Sequence, residues 1–158
     1  MKKTKLPKKM STLLLLAVKD LSKVEKRKDY RIDMNVWHSA SGAVGKFGNQ
    51  TKQCAVCFAG SVISNTLGLD KDKTYVPADP FGEYFSDNIE FDQETIQKLY
   101  ALNFLRQGYL YDAAREMGVT LPGNFKDYRR VVQYNKRNRR RFKLQMRQIA
   151  RDLKKVGL

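Results

Sequence analysis

Three side chains suited to covalent or metal chemistry lie close together in this sequence: His38, Cys54 and Cys57. A cysteine at the start of a helix has its thiolate favoured by the helix dipole. His38 would then serve as its general base across the glycine-bearing stretch 39–52. A structural zinc site takes four ligands. The chain offers one His and two Cys, so a metal would have to recruit an Asp. The simpler reading makes both cysteines small buried hydrophobes in the apolar run Cys54-Ala55-Val56-Cys57-Phe58-Ala59-Gly60-Ser61-Val62-Ile63. His38, beside Trp37, is then a hydrogen-bonded anchor. On that reading no catalytic residue, metal or cofactor is assigned, and Cys54, Cys57 and His38 stand as the candidates for a thiol enzyme.

The order His38 followed by Cys-x-x-Cys resembles the zinc deaminases. Those carry an acid two residues after the His and a Pro before the first Cys; Ala40 and Gln53 stand there. Cys54-Ala55-Val56-Cys57-Phe58-Ala59 is also similar to the nucleophile segment of papain-like proteases. That family places its His far downstream, and no His follows position 38.

A second constellation serves binding rather than catalysis. Phe142, Met146, Ile149, Leu153 and Val156 recur at helical spacing and predict one apolar seam. Arg140, Lys143, Arg147, Arg151 and Lys154 project together on the opposite face, flanked by Arg141 and Lys155. The stripe from Arg140 to Lys154 is about 21 Å long at ~1.5 Å per residue. Like charges one turn apart disfavour a helix by a few tenths of a kcal/mol per pair, a repulsion that a polyanion laid along the stripe relieves. Arginine suits bidentate phosphate contacts, and neutralising phosphates releases counterions. Tyr128 and Tyr134, just upstream, are candidates for stacking on bases or for the core. The alternatives are a solvated face and an acidic protein partner. A membrane fits less well, because the core needs the apolar side.

The charge layout points the same way. Net charge is +15 over 158 residues. Residues 1–31 carry 11 Lys/Arg against 3 acids, residues 32–122 carry 7 against 11, and residues 123–158 carry 13 against 2. The excess is confined to two basic ends around a slightly acidic middle, the pattern expected of nucleic-acid or anionic-surface contacts. Lys2, Lys3, Lys5, Lys8 and Lys9 precede Leu13–Val18, in the manner of a signal peptide. That apolar run is shorter than a signal core and is closed by Lys19-Asp20. It reads as an ordinary helix, with a cytosolic chain and reduced cysteines.

The elements that position these residues follow from periodicity and breakers. Ser11 or Thr12 caps a first helix to about Lys28, with Leu14, Ala17/Val18, Leu21 and Val24 inward. Residues 30–37 alternate as a short strand. The Cys54 run is a buried helix, or a buried strand, since periodicity alone does not separate them. Residues 70–82 form a loop. Asp92 caps a helix through Ile96, Leu99, Leu102 and Leu105 that stops at Gly108. A short helix spans 110–117 and stops at Gly118. Residues 113–120 look like the opening of a helix-turn-helix, but Leu121-Pro122-Gly123 breaks the recognition helix that should follow. Residues 125–134 read as helical, and Asn135 or Asn138 starts the last helix.

Asp33-Met34, Trp37-His38, the Cys54–Gly60 run, Lys98-Leu99-Tyr100-Ala101-Leu102-Asn103, Leu105-Arg106-Gln107-Gly108 and the closing Leu153–Leu158 together resemble a group of small proteins of bacteriophages and bacteria. The resemblance implies a phage origin and a host-cytoplasm location, and brings no activity, cofactor or site. The sequence is therefore read as one mainly α domain over residues 1–158, with at most a small β element near 30–37. Its expected function is non-enzymatic binding of DNA or RNA through Arg140, Arg141, Lys143, Arg147, Arg151, Lys154 and Lys155. The alternatives are an inhibitor that docks on an acidic host protein, and a thiol enzyme.

Overall fold

Asp92 and Gly108 delimit a helix as their chemistry requires. In the computed structural model, which describes residues 4–41, 53–77, 89, 91–126, 128 and 131–158, the Asp92 carboxylate accepts from the Thr95 amide at 2.8 Å. Gly108 closes the other end in the left-handed region, φ 83°. Among the described residues the chain is mainly helical: α1 Met10–Val24, α2 Phe58–Asn65, α3 Gln93–Gln107, α4 Leu110–Glu116 and α5 Arg139–Lys155. One small sheet joins β1 Tyr30–Ile32, β2 His38–Ser39 and β3 Cys54–Val56.

The residues gather into two compact units. One holds Lys19–Phe91 with the first few residues; the other holds Lys5–Val18 and Asp92–Leu158. The first half of α1 groups with the second unit and its last turns with the first.

In the sheet unit β3 is central. It pairs parallel with β1, Tyr30 opposite Cys54, and antiparallel with β2, His38 opposite Val56. Val24, Tyr30, Cys54 and Val56 form its buried apolar cluster, with Ile32 at the margin. The apolar cysteine run is thus strand and helix in succession. Cys57 breaks the strand with extended backbone and caps α2, its Sγ accepting from the Gly60 amide at 3.4 Å. The alternation read over 30–37 ends at Ile32, because the Asp33 carboxylate takes the Asn35 amide at 3.0 Å and folds a turn. Gly60 permits a close approach: a Cβ there would lie 1.7 Å from the Trp37 carbonyl oxygen. Asp20, fully buried, accepts from the Thr66 hydroxyl at 2.5 Å, and its carbonyl from the Asn65 amide at 3.1 Å. Those bonds tie the last turns of α1 to the end of α2. Of the glycine-bearing stretch 39–52 and the loop expected over 70–82, residues 42–52 and 78–82 lie outside the described residues.

In the other unit α3 and α4 form a helical hairpin about Gly108, where a Cβ would meet the Tyr128 carbonyl oxygen at 2.4 Å. Leu99, Ala101, Leu102 and Leu105 are fully buried; Ile96 is only partly so. Lys98 is buried among them, its ammonium donating to the Leu6 carbonyl at 2.9 Å and to Glu94 at 2.6 Å. After α4 the chain turns at Gly118, φ 65°, and residues 119–126 form no helix. No recognition helix follows the turn. Helix α1 begins at Met10, ahead of the expected caps, and Ser11 is buried inside it; the helix ends at Val24 rather than near Lys28.

Candidate functional site

The apolar seam orients α5. Phe142, Met146, Ile149, Ala150 and Leu153 are buried, each 1% exposed or less. The seam stops there: Val156, expected as its fifth member, is 41% exposed. Val156 caps the helix and Gly157, φ 83°, turns the chain away, so Val156 leaves the inward face.

With the seam inward, Arg140, Arg141, Arg147, Arg151, Lys154 and Lys155 are exposed and Lys143 is half-buried. The cations expected from spacing therefore share one solvent face instead of scattering around the helix. No acid stands in the first turn of α5, and Arg139, Arg140 and Arg141 occupy it. Cations at a helix N-terminus add to the positive end of the macrodipole instead of offsetting it, so positive potential concentrates at this end. Exposed Lys136 and Arg137 continue it into the preceding turn. That turn is held by Asn135, whose side-chain oxygen accepts from the Arg137 and Asn138 amides at 2.9 Å each.

Asp152 is the one acid in the helix. It accepts from the Tyr128 hydroxyl, from Gln148 Nε2 at 3.0 Å and from Lys155 Nζ at 3.4 Å. Tyr128's hydrogen bond is the chief reason its carboxyl is held below the ordinary range. Burial, seconded by Asp152, pushes the Tyr128 hydroxyl up.

Residues 125–134 were expected to be helical; their described members are not. Tyr128, Val132 and Tyr134 instead lie against α5. The Val132 amide donates to the Gln145 side chain at 2.6 Å in place of a helical carbonyl, and Tyr134 meets Phe142 edge-on with centroids 5.5 Å apart. Tyr128, 7% exposed, and Tyr134 thus pack inward and offer no stacking platform.

Sequence reasoning missed Leu144, which is 49% exposed in the middle of the basic face. A helical projection of the polar side would have found it.

The cysteine cluster has a different character. His38 is 1% exposed, and its Nδ1 lies 2.8 Å from the Lys73 carbonyl oxygen, which only accepts, so Nδ1 carries the proton. Burial pulls the imidazole below its ordinary value, against the Lys73 hydrogen bond. The Cys54 sulfur is 3.7 Å from each ring nitrogen, astride the ring and not aligned on one acceptor. Burial pushes its thiol up to about 12, with Asp29 adding to the shift. Neutral thiol and neutral imidazole are the stable forms here. Cys57 is 2% exposed and its sulfur is used as a helix cap. Among the described residues no group of three or more His, Cys, Asp and Glu is placed to hold a metal ion. No helix among them is long and apolar enough to cross a membrane.

No protein-family model, no curated protein and no solved structure matches this chain.

Proposed function

We propose that this protein binds nucleic acid through α5 and does so without catalysis. The observation that carries the reading is the single exposed face with six cations, at whose edge the one acid of the helix, Asp152, is engaged by Tyr128, Gln148 and Lys155. The helix is held to its unit by a buried seam and by contacts from Tyr128, Val132 and Tyr134, so its cations are presented on a packed element. Arg140, Arg147, Arg151 and Lys154, with Lys143 at the margin and Arg141 and Lys155 on the flank, contact phosphates. Such contacts set affinity and register and read no sequence. The exposed lysines Lys5, Lys8 and Lys9 add long-range attraction. A bacterial cytoplasm as the place of action is part of the same proposal.

A filter-binding titration of the full chain against DNA and RNA tests this. If five cations engage duplex DNA, log K falls against log salt with a slope of roughly −4.5. Absence of salt-sensitive binding to either polymer removes the proposal.

A further inference from the structure

From the exposure of Tyr109 and Tyr111 we infer that the nucleic acid bound by α5 is single-stranded, with unpaired bases stacking on these two rings. The inference rests on the nucleic-acid reading above and narrows it.

Among the described residues tyrosine is otherwise buried or half-buried, whereas Tyr109 and Tyr111 are 55% and 56% exposed. The local structure holds them out. Gly108 ends α3 with a positive φ, and α4 follows with Leu110, Ala113 and Ala114 as its buried side. Tyr111 is turned from Leu110 by about 100° of helix, on the side that carries exposed Arg115, itself paired with Asp112. Tyr109 precedes the helix and makes no side-chain capping bond. Burial of an aromatic ring is strongly favourable, so two rings left in water within three residues mark a contact surface.

Both tyrosines adjoin the segment that joins α4 to α5. A Cβ at Gly108 would lie 2.4 Å from the Tyr128 carbonyl oxygen and 2.5 Å from Val131 Cγ2, so Tyr109 follows directly on a contact with that segment. The Tyr111 hydroxyl stands 3.5 Å from the Pro122 carbonyl oxygen. The same segment touches α5 through Tyr128 on Asp152 and Val132 on Gln145. On a helix turning about 100° per residue, positions 145 and 152 adjoin Arg141 on one flank of the basic face. Exposed Lys126, its Nζ 5.2 Å from the centroid of the Tyr128 ring, adds a cation to the connecting segment.

A ligand for this surface carries negative charge for α5 and flat π-faces for the tyrosines. An unpaired polynucleotide carries both along one chain. In a duplex each base face is covered by the next pair, so a duplex offers the phosphates alone. An acidic polypeptide supplies charge without a succession of flat rings. Stacking on aromatic side chains accepts any base, in keeping with phosphate contacts that read no sequence.

The test uses the full chain with Tyr109→Ala, Tyr111→Ala and the two matching Phe variants. Both positions are exposed, so a melting curve equal to the parent's shows the fold intact. Affinity is measured at one salt concentration for a single strand of about 16 nucleotides, as DNA and as RNA. The DNA duplex of the same sequence and poly-glutamate are measured beside them. The parent should bind both single strands at least about tenfold more tightly than the duplex. Each Ala variant should lose about tenfold on the single strands and nothing on the duplex. Each Phe variant should bind as the parent does, with one salt slope throughout. The parent's preference for single strand over duplex needs no variant and decides the matter even where an Ala variant melts early. Equal or tighter binding of the duplex overturns the stacking inference and leaves phosphate binding standing. A single-strand affinity that either Ala variant leaves unchanged, or a loss in the Phe variants equal to that in the Ala variants, does the same. Binding to poly-glutamate alone overturns both.

Discussion

Tyr128 donates its hydroxyl hydrogen to Asp152, the only acid in a helix otherwise lined with cations. The bond fastens Tyr128 to α5. Tyr128→Phe keeps the ring and removes the bond, which, being to a charged acceptor, contributes about 1.5–3 kcal/mol. Urea denaturation at neutral pH should show that loss. The carboxyl is held below its ordinary value of 3.8, so its contribution is present above that value and disappears as pH falls through the depressed one. The difference between parent and variant should therefore narrow in strong acid.

Gly60 makes a prediction opposite to helix propensity. Alanine is favoured over glycine inside a helix by about 1 kcal/mol. Here the new Cβ would sit 1.7 Å from a backbone carbonyl oxygen, that of Trp37, which has no flexible end to move aside. Gly60→Ala should destabilise by about 1–3 kcal/mol, in the range of core overpacking. A melting temperature equal to or above the parent's would contradict the packing of α2 on residue 37.

His38 sets a pH dependence. Its folded pKa lies below the ordinary 6.5 because the ring is buried, so the unfolded chain binds the proton first. Stability is full above about 6.5 and falls as pH drops below it, levelling once the folded imidazole also protonates. Buried Asp20, raised chiefly by burial, works in the opposite sense. Comparison with His38→Gln cancels the Asp20 contribution and isolates the imidazole. The parent should lose more stability than His38→Gln between pH 7 and 5.

Where a residue's role is local, the sequence reveals it. Asp92 and Gly108 bracket α3 because a carboxylate cap and a positive-φ stop are properties of those residues alone. The α5 seam is legible because its period is unbroken through Leu153. Cys54–Val56 stays ambiguous on paper, since a strand buried on both faces and a buried helix read alike. The packing of Tyr128 and Val132 against α5 is hidden for another reason. Its hydrogen bonds go to Gln145 and Asp152, partners that only the fold brings near. Val156 misleads because periodicity carries no information about where a helix lets go. The basic face was legible; the exposed Leu144 within it was lost by attending to the charges alone.

The central claim is that α5 contacts phosphates with the cations of its outer face. The most direct measurement is the salt slope of duplex DNA binding for the parent and for Arg140→Gln/Arg147→Gln/Arg151→Gln. Removing three phosphate contacts should weaken binding and flatten the slope by about 2.7. Stability should hold or rise slightly as repulsion within the helix is relieved. A slope unchanged by the triple substitution would contradict the account.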